Sequence, residues 1–147
     1  MQPPQRSRHQ HICIVDEDEQ FRALFRSILQ QQGYAVLEAP DGQSALRQIN
    51  ASPHRLVVVL TRALSERDSL AVFSALLADT ALAKYHAYLL LSVAPLLSPA
   101  LEALVSMLRV SVITQPEDLH GVLKHISMLA HRLEIRRTLD SLPALSR

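Results

Sequence analysis

The sequence has little of what several common protein chemistries require. Cys13 is the one cysteine in 147 residues, which excludes an internal disulfide and a metal cluster held by several cysteines. The three glycines (Gly33, Gly42 and Gly121) are too far apart to build a Walker A loop or a GxGxxG turn, and neither a GxSxG elbow nor an HExxH pair occurs. A net charge of +1 gives no bulk attraction to nucleic acid or membrane. We therefore expect a protein that is not an enzyme and that binds neither.

Long hydrophobic runs are also missing. The longest apolar stretch, around Tyr88 to Leu97, is interrupted by Ser92 and Pro95 and is too short to span a bilayer. The stretch from Met1 to His11 is polar and lacks an apolar segment of the signal-peptide type. A cytoplasmic location is the resulting expectation.

The chain is long and apolar enough for one domain with a substantial core. Hydrophobic residues make up 48% of it, which argues against disorder. We predict a flexible extension at 1–10, a domain at 11–133, and either a helix extension or a frayed tail at 134–147.

Apolar runs typical of buried strands alternate five times with segments of helical periodicity. The predicted strands are Ile12–Val15, Ala35–Ala39, Leu56–Leu60, Ala87–Leu91 and Val110–Thr114. The helix signals are Asp18 or Glu19 and Asp41 as caps, Gly33 as a stop, and Ser98 with Pro99 as a start. Strands separated by such helices predict a doubly wound, five-stranded parallel sheet of order 2-1-3-4-5 in a flavodoxin-like three-layer α/β sandwich.

The first strand runs directly into four acidic residues, Asp16 to Glu19. Neighbouring carboxylates repel, so they require a cation, a basic side chain or water to offset their charge. Helix capping explains Asp18 and Glu19 better than it explains Asp16 and Glu17. Ligands of such sheets bind beyond the carboxyl ends of the strands, where Thr61, Ser92, Thr114 and Gln115 also fall.

Several short motifs occur in a fixed order along the chain. They are Ile14-Val15-Asp16-Glu17-Asp18, Gly33-Tyr34-Ala35-Val36, Asp41-Gly42-Gln43-Ser44-Ala45-Leu46, Leu89-Leu90-Leu91-Ser92 and Gln115-Pro116. In this order and spacing they resemble a bacterial response-regulator receiver domain, over roughly Gln10 to Leu133. No single motif is specific, but together they are hard to obtain by chance.

The resemblance implies a particular chemistry. Receiver domains hold Mg²⁺ with an acidic pair after the first strand and with an aspartate at the end of the third, which accepts a phosphoryl group from a histidine kinase. A Ser or Thr after the fourth strand and a Lys before a proline after the fifth bind the phosphoryl oxygens. Asp16 and Glu17 match the acidic pair, and Ser92 matches the hydroxyl position.

The essential positions depart from this pattern. The acceptor position falls on Thr61, or on Leu60 in a register one residue earlier, and neither is a carboxylate. Gln115, before Pro116, stands at the lysine position, and Val112 at the aromatic switch position. The comparison predicts a degenerate pseudo-receiver that is not phosphorylated in the family's manner.

The cofactor and cation predictions concern the same edge. No cofactor is expected, since Mg²⁺ at Asp16 and Glu17 would lack the third carboxylate, although these two residues remain the metal candidates. Arg62 is either a built-in cation for the pocket or a solvated loop arginine. The Gln115–Pro116 bond could be cis. The seven histidines are dispersed and expected at the surface, and Cys13 is expected to be a small buried hydrophobe.

The resulting functional hypothesis is two-component (phosphorelay) signal transduction through phosphorylation-independent protein–protein contact. The expected surface comprises the fourth helix (Leu101–Leu108), the fifth strand and the last helix, with Ile135 and Leu139 as apolar anchors; the partner is another protein or a second copy in a homodimer. Two alternatives stay open: a phospho-accepting regulator with an unconventional acceptor, and a small-ligand-binding flavodoxin-like module.

Overall fold

A computed structural model describes residues 10–61, 64–93, 96–114 and 118–142. The strands are β1 (His11–Val15), β2 (Ala35–Ala39), β3 (Leu56–Leu60), β4 (Ala87–Ser92) and β5 (Ser111–Thr114). The helices are α1 (Glu19–Gln31), α2 (Gly42–Ala51), α3 (Glu66–Leu77), α4 (Thr80–Tyr85), α5 (Pro99–Leu108) and α6 (Leu119–Asp140).

The five strands form one parallel sheet of order β2-β1-β3-β4-β5. The predicted fold class is therefore confirmed. β1 and β3 pair in the middle, with Val15 opposite Leu60, so the residues that follow them, Asp16 and Thr61, emerge side by side at the carboxyl edge.

Helices cover both faces of the sheet, and side chains of successive strand residues enter opposite cores. One core holds Phe25 and Leu29 of α1 with Ile126 and Leu129 of α6, and the other holds residues of α2, α3 and α5. Every residue of β3 is buried, as expected for the central strand of a parallel sheet. Cys13 lies in this interior, and burial raises the pKa of its thiol to about 12.

Two helices differ from the sequence expectation. The short helix α4 was not predicted, so the predicted fourth helix is α5, capped by Ser98 with Pro99 in its first turn. α6 continues to Asp140, well beyond Leu133. Residues 143–147 lie outside the described part of the chain.

The expectation that histidines lie at the surface is wrong for His86. Its ring is 4% exposed and joins two elements: Nδ1 accepts from the amide of Leu56 at 2.8 Å, while Nε2 donates to the carbonyl of Ile49 at 3.1 Å. Burial lowers the pKa of His86 to about 4; the Ile49 carbonyl opposes this shift, and the charge of Arg55 adds to it. The ring is thus held neutral, with its proton on Nε2.

Stability is expected to rise with pH through the range set by His86. The folded pKa of about 4 lies below the ordinary value of 6.5, so the unfolded chain binds the proton more readily between these values. The contribution of the neutral ring is complete above pH 6.5 and falls by up to about 3 kcal/mol toward pH 4. Urea unfolding of wild type and His86→Gln across this range measures it, because the variant lacks the titrating group.

A matched substitution at the exposed His120 serves as the control and should leave the wild-type pH dependence unchanged. If His86→Gln kept the full wild-type slope, the buried ring would not be its source.

Candidate functional site

The carboxyl edge of the sheet brings together Asp16 and Thr61, which are 0% and 1% exposed. The Thr61 hydroxyl lies 2.6 Å from Asp16 Oδ2 and donates to it, with the Val15 carbonyl 3.1 Å away as a second acceptor. The other carboxylate oxygen, Oδ1, accepts from the amide of Asp18 at 2.7 Å. Hydrogen bonds from neutral donors to a carboxylate are stronger than those between two neutral groups. The two bonds to Asp16 therefore offset part of the free energy that burying this side chain costs.

The remaining acidic residues of the first loop are placed differently. Glu17 is exposed, so the two carboxylates of the predicted acidic pocket do not share one buried environment. Asp18 caps α1, where its Oδ1 accepts from the amides of Gln20 and Phe21 at 3.0 and 3.2 Å. The prediction that Asp18 or Glu19 caps this helix is confirmed for Asp18.

Arg22 supplies a cation next to this edge that the sequence reading missed. Its Nη1 donates to the backbone carbonyl of Asp16 at 2.7 Å, and its Nε donates to Glu38 of β2 at 3.0 Å. Arg26 also pairs with Glu38. The guanidinium therefore braces the β1 end against β2 through the main chain, while the Asp16 carboxylate is satisfied separately by Thr61 and Asp18.

Of the other predicted site residues, the structure describes Ser92 and Val112. Ser92 is half-buried at the end of β4 and lies opposite Thr114 in the β4–β5 register. Val112 is half-buried in β5, opposite Leu90. Arg62, Gln115 and Pro116, and with them the predicted cation and the predicted cis bond, lie outside the described residues.

The acidic residues of the segment after β3 are engaged with α2 and α3. Ser65 caps α3 by accepting from the amide of Asp68 at 3.1 Å. The Asp68 carboxylate accepts from the amide of Gly42, in the first turn of α2, at 3.3 Å. Glu66 is exposed. The Asp68 carboxylate is thus engaged with α2, while the Thr61 hydroxyl is engaged with Asp16.

The donor set at this edge does not fit the Mg²⁺ site of receiver domains. That ion requires several oxygen ligands in octahedral geometry, whereas the end of β3 carries the Thr61 hydroxyl, which donates a hydrogen bond to Asp16. Across the described residues, no three His, Cys, Asp or Glu side chains are grouped closely enough to hold a metal ion.

A small cavity lies at the opposite, amino edge of the sheet. Its volume is about 80 Å³, and its lining includes His11 and His54, whose rings stack at 4.0 Å. Arg55 lies over the ring of Tyr85 at 4.4 Å in the same region. Pockets for nucleotides and similar ligands are typically several times larger.

None of the helices in the described part of the chain is both long enough and apolar enough to cross a bilayer.

No family model matches the chain. A 58-residue segment, 39% of the chain, is 36% identical to part of the CAI-1 autoinducer sensor kinase/phosphatase CqsS of Vibrio cholerae, but the match spans only 8% of that protein's length. The similarity is thus to a small portion of a much longer protein.

Solved structures with the same architecture cover most of the chain. A CheY-like response regulator receiver domain protein from Methanospirillum hungatei superposes with a TM-score of 0.72 at 21% identity, covering 86% of this chain and 98% of that one. The signal receiver domain of a histidine kinase from Syntrophus aciditrophicus gives a TM-score of 0.68 at 19% identity, with coverages of 84% and 92%. With the sheet order and the helices on both faces, these superpositions identify the fold of the chain as that of response-regulator receiver domains.

Proposed function

We propose that this chain is a degenerate receiver domain that acts in two-component signal transduction through protein–protein contact, without being phosphorylated. The observation that carries the proposal is the buried hydrogen bond between Thr61 and Asp16. A hydroxyl occupies the end of β3, where the resemblance requires a carboxylate. The similarity to a sensor kinase and to receiver domains supports the signalling context, and we place the protein in the cytoplasm on the same grounds.

Thr61 is a poor substitute for an aspartate acceptor. An acyl phosphate forms when a carboxylate oxygen attacks a phosphoryl group, whereas the Thr61 hydroxyl donates a hydrogen bond to Asp16, and the residue is 1% exposed. A phosphoryl donor could reach Thr61 only if the side chains packed around it moved away. The proposal accordingly assigns the chain neither an enzymatic activity nor a bound Mg²⁺.

The proposed contact surface is formed by α5, β5 and α6, with Ile135 and Leu139 of α6 as apolar anchors. Met107 of α5 is 64% exposed and Leu119 of α6 is 41% exposed, and β5 is an edge strand that contains the half-buried Val112 and Ile113. An edge strand bordered by exposed apolar side chains is suited to contact with another protein. Either a different protein or a second copy would use this surface, and we expect no role for nucleic acid or membrane.

Incubation of the full chain with acetyl phosphate and MgCl₂, followed by intact mass measurement at neutral pH, is expected to leave the mass unchanged. The reason is that the described edge offers no acceptor carboxylate in place of Thr61. A stoichiometric, acid-labile increase by one phosphoryl group would refute the proposal in favour of an unconventional acceptor.

The double substitution Thr61→Asp with Gln115→Lys is the matched positive control. It restores the two residue types that the resemblance requires, so uptake of a phosphoryl group by this variant would show that the assay detects phosphorylation on this scaffold. A thermal shift series with metals and nucleotides addresses the small-ligand alternative, for which a flat wild-type response is expected.

A further inference from the structure

The second half of α6 has two apolar faces. One face packs against the sheet through Ile126, Leu129, Ala130 and Leu133. On the opposite side lie the exposed Met128, Ile135 and Leu139, and the exposed Leu142 follows two residues beyond the end of the helix; the four side chains are 41%, 48%, 55% and 41% exposed. We refer to these four residues as the outer stripe. With about 100° of rotation per residue, the three helical members fall within about 40° of a single line along α6.

The spacing of the outer stripe is that of a helix-pairing seam. Steps of seven, four and three residues separate its members, and Arg132, which falls on the same line, contacts Met128 Sδ through Nη2 at 3.9 Å. A narrow row of this kind suits packing against one partner helix, whose side chains insert between stripe residues that are three and four positions apart. Within the described parts of the chain, the outer stripe stays exposed, whereas the side chains on the opposite face of α6 are buried.

The helix that carries the stripe is fixed to the domain rather than free. Arg55 pairs with Asp140 near the end of α6 and also lies over the Tyr85 ring. Arg136 Nη1 donates to the carbonyl of Lys84 at 2.8 Å. The outer stripe is therefore presented on a preformed surface, which lowers the entropic cost of binding a partner.

The charges around the stripe are predominantly positive. Both carboxylates in this part of α6 are in ion pairs, Glu134 with Arg137 and Asp140 with Arg55. The exposed side chains of Lys124, Arg132 and Arg136 form a basic border along the apolar line, with Arg132 lying on the line itself. A partner that places carboxylates along its own apolar seam would complement this surface in both respects.

We propose that the outer stripe is the docking site for an acidic amphipathic helix of another protein. The inference deepens the proposed function in protein–protein contact, because it rests on that function and names the chemical class of the partner. The partner helix carries apolar side chains at heptad positions a and d and Glu or Asp beside them. It packs along the outer face of α6, the part of the proposed contact surface that Ile135 and Leu139 provide.

Two other occupants are less well matched. A second copy would place the same basic border against itself, and like charges along a helix pair oppose association. A bilayer surface would favour a broad apolar face with aromatic side chains, whereas the stripe is narrow and contains none. Both remain as outcomes of the test.

The probe is a fluorescein-labelled peptide of about three heptads with Leu at positions a and d and Glu at e and g; its Glu rows discourage self-pairing. A twin with Lys at e and g is the matched control. By fluorescence anisotropy, the full chain is expected to bind the Glu peptide at least about tenfold more tightly than the Lys peptide, with weakening at high salt. Ile135→Ser with Leu139→Ser should weaken Glu-peptide binding by about tenfold or more, whereas Leu24→Ser on α1 should not change it.

Charge reversal sharpens the test. Lys124→Glu with Arg132→Glu should reverse the preference, so that the Lys peptide binds more tightly than the Glu peptide. All the substituted side chains are exposed, so melting temperatures close to wild type are expected.

The inference would be overturned if both peptides bound equally or if neither bound. It would also be overturned by a dimer that sedimentation equilibrium shows to be lost on Ile135→Ser with Leu139→Ser, or by stripe-dependent binding to phosphatidylserine vesicles. None of these results bears on phosphorylation. The acetyl phosphate experiment tests the proposed function independently of them.

Discussion

Thr61→Asp is expected to destabilise the protein in EDTA at neutral pH by about 3–5 kcal/mol. The Thr61 hydroxyl lies 2.6 Å from Asp16 Oδ2, so the substitution places a second carboxylate against a fully buried one. Two such groups cannot both ionise without a large cost, and one of them would therefore hold a proton. A carboxyl whose folded pKa is raised in this way destabilises the protein as pH rises, so the stability deficit of the variant relative to wild type should shrink as pH is lowered from 8 toward 5.

The same variant should respond to Mg²⁺, whereas we expect no response from wild type. The new side chain supplies the third carboxylate that receiver domains use for this ion, and binding would relieve the repulsion with Asp16. With a dissociation constant of about 1 mM, 10 mM MgCl₂ would add about 1.4 kcal/mol to the free energy of unfolding. Urea unfolding with and without MgCl₂ measures both effects.

Thr61→Val and Thr61→Ser separate charge from hydrogen bonding. Val removes the hydroxyl at similar volume and should cost about 1–3 kcal/mol with no response to Mg²⁺, because Asp16 loses a donor without gaining a ligand partner. Ser retains the donor and should be milder. A wild-type protein stabilised by Mg²⁺ as strongly as Thr61→Asp would contradict our account of the donor set.

The sheet could be predicted closely from sequence because its strands are short, continuous apolar runs. β2 and β3 have the predicted bounds, and β4 differs by one residue. The missed helix α4 has six residues and buries none of them, so it has no apolar periodicity to detect. Its cap, Asp79, which accepts from the amide of Leu82 at 3.1 Å, was the one local signal for it.

The site was predictable as a location but not as a set of contacts. Parallel pairing places the ends of β1 and β3 together, so the proximity of Asp16 and Thr61 follows from topology. The hydrogen bond between them depends on side-chain orientation, which strand periodicity does not specify. Similarly, the role of His86 depends on Ile49 and Leu56, which lie at least 30 residues away in the chain. Arg22 could have been found by asking which basic residue of the first helix lies within reach of the acidic edge.

Asp16→Asn is expected to be tolerated, with a loss of no more than about 1 kcal/mol, whereas Asp16→Ala should cost about 2–4 kcal/mol. The amide oxygen of Asn can still accept from the backbone N–H of Asp18, and its NH₂ group can donate to Thr61 Oγ1. The Thr61 hydroxyl then turns its proton to the Val15 carbonyl, 3.1 Å away. Ala leaves the partly buried amide of Asp18 without that acceptor and opens a small void at the fully buried position of Asp16.

The distinction tests what Asp16 does in this protein. A carboxylate that holds a metal depends on its charge, and Asn would abolish that role as fully as Ala. A carboxylate that fastens β1 to β3 and to the α1 cap depends on hydrogen bonds, which Asn retains. Urea unfolding of both variants, with the exposed Glu17→Ala as a control expected within about 0.5 kcal/mol of wild type, measures the difference. Equal destabilisation by Asn and Ala would mean that the negative charge of Asp16, and not its hydrogen bonding, is what the fold requires.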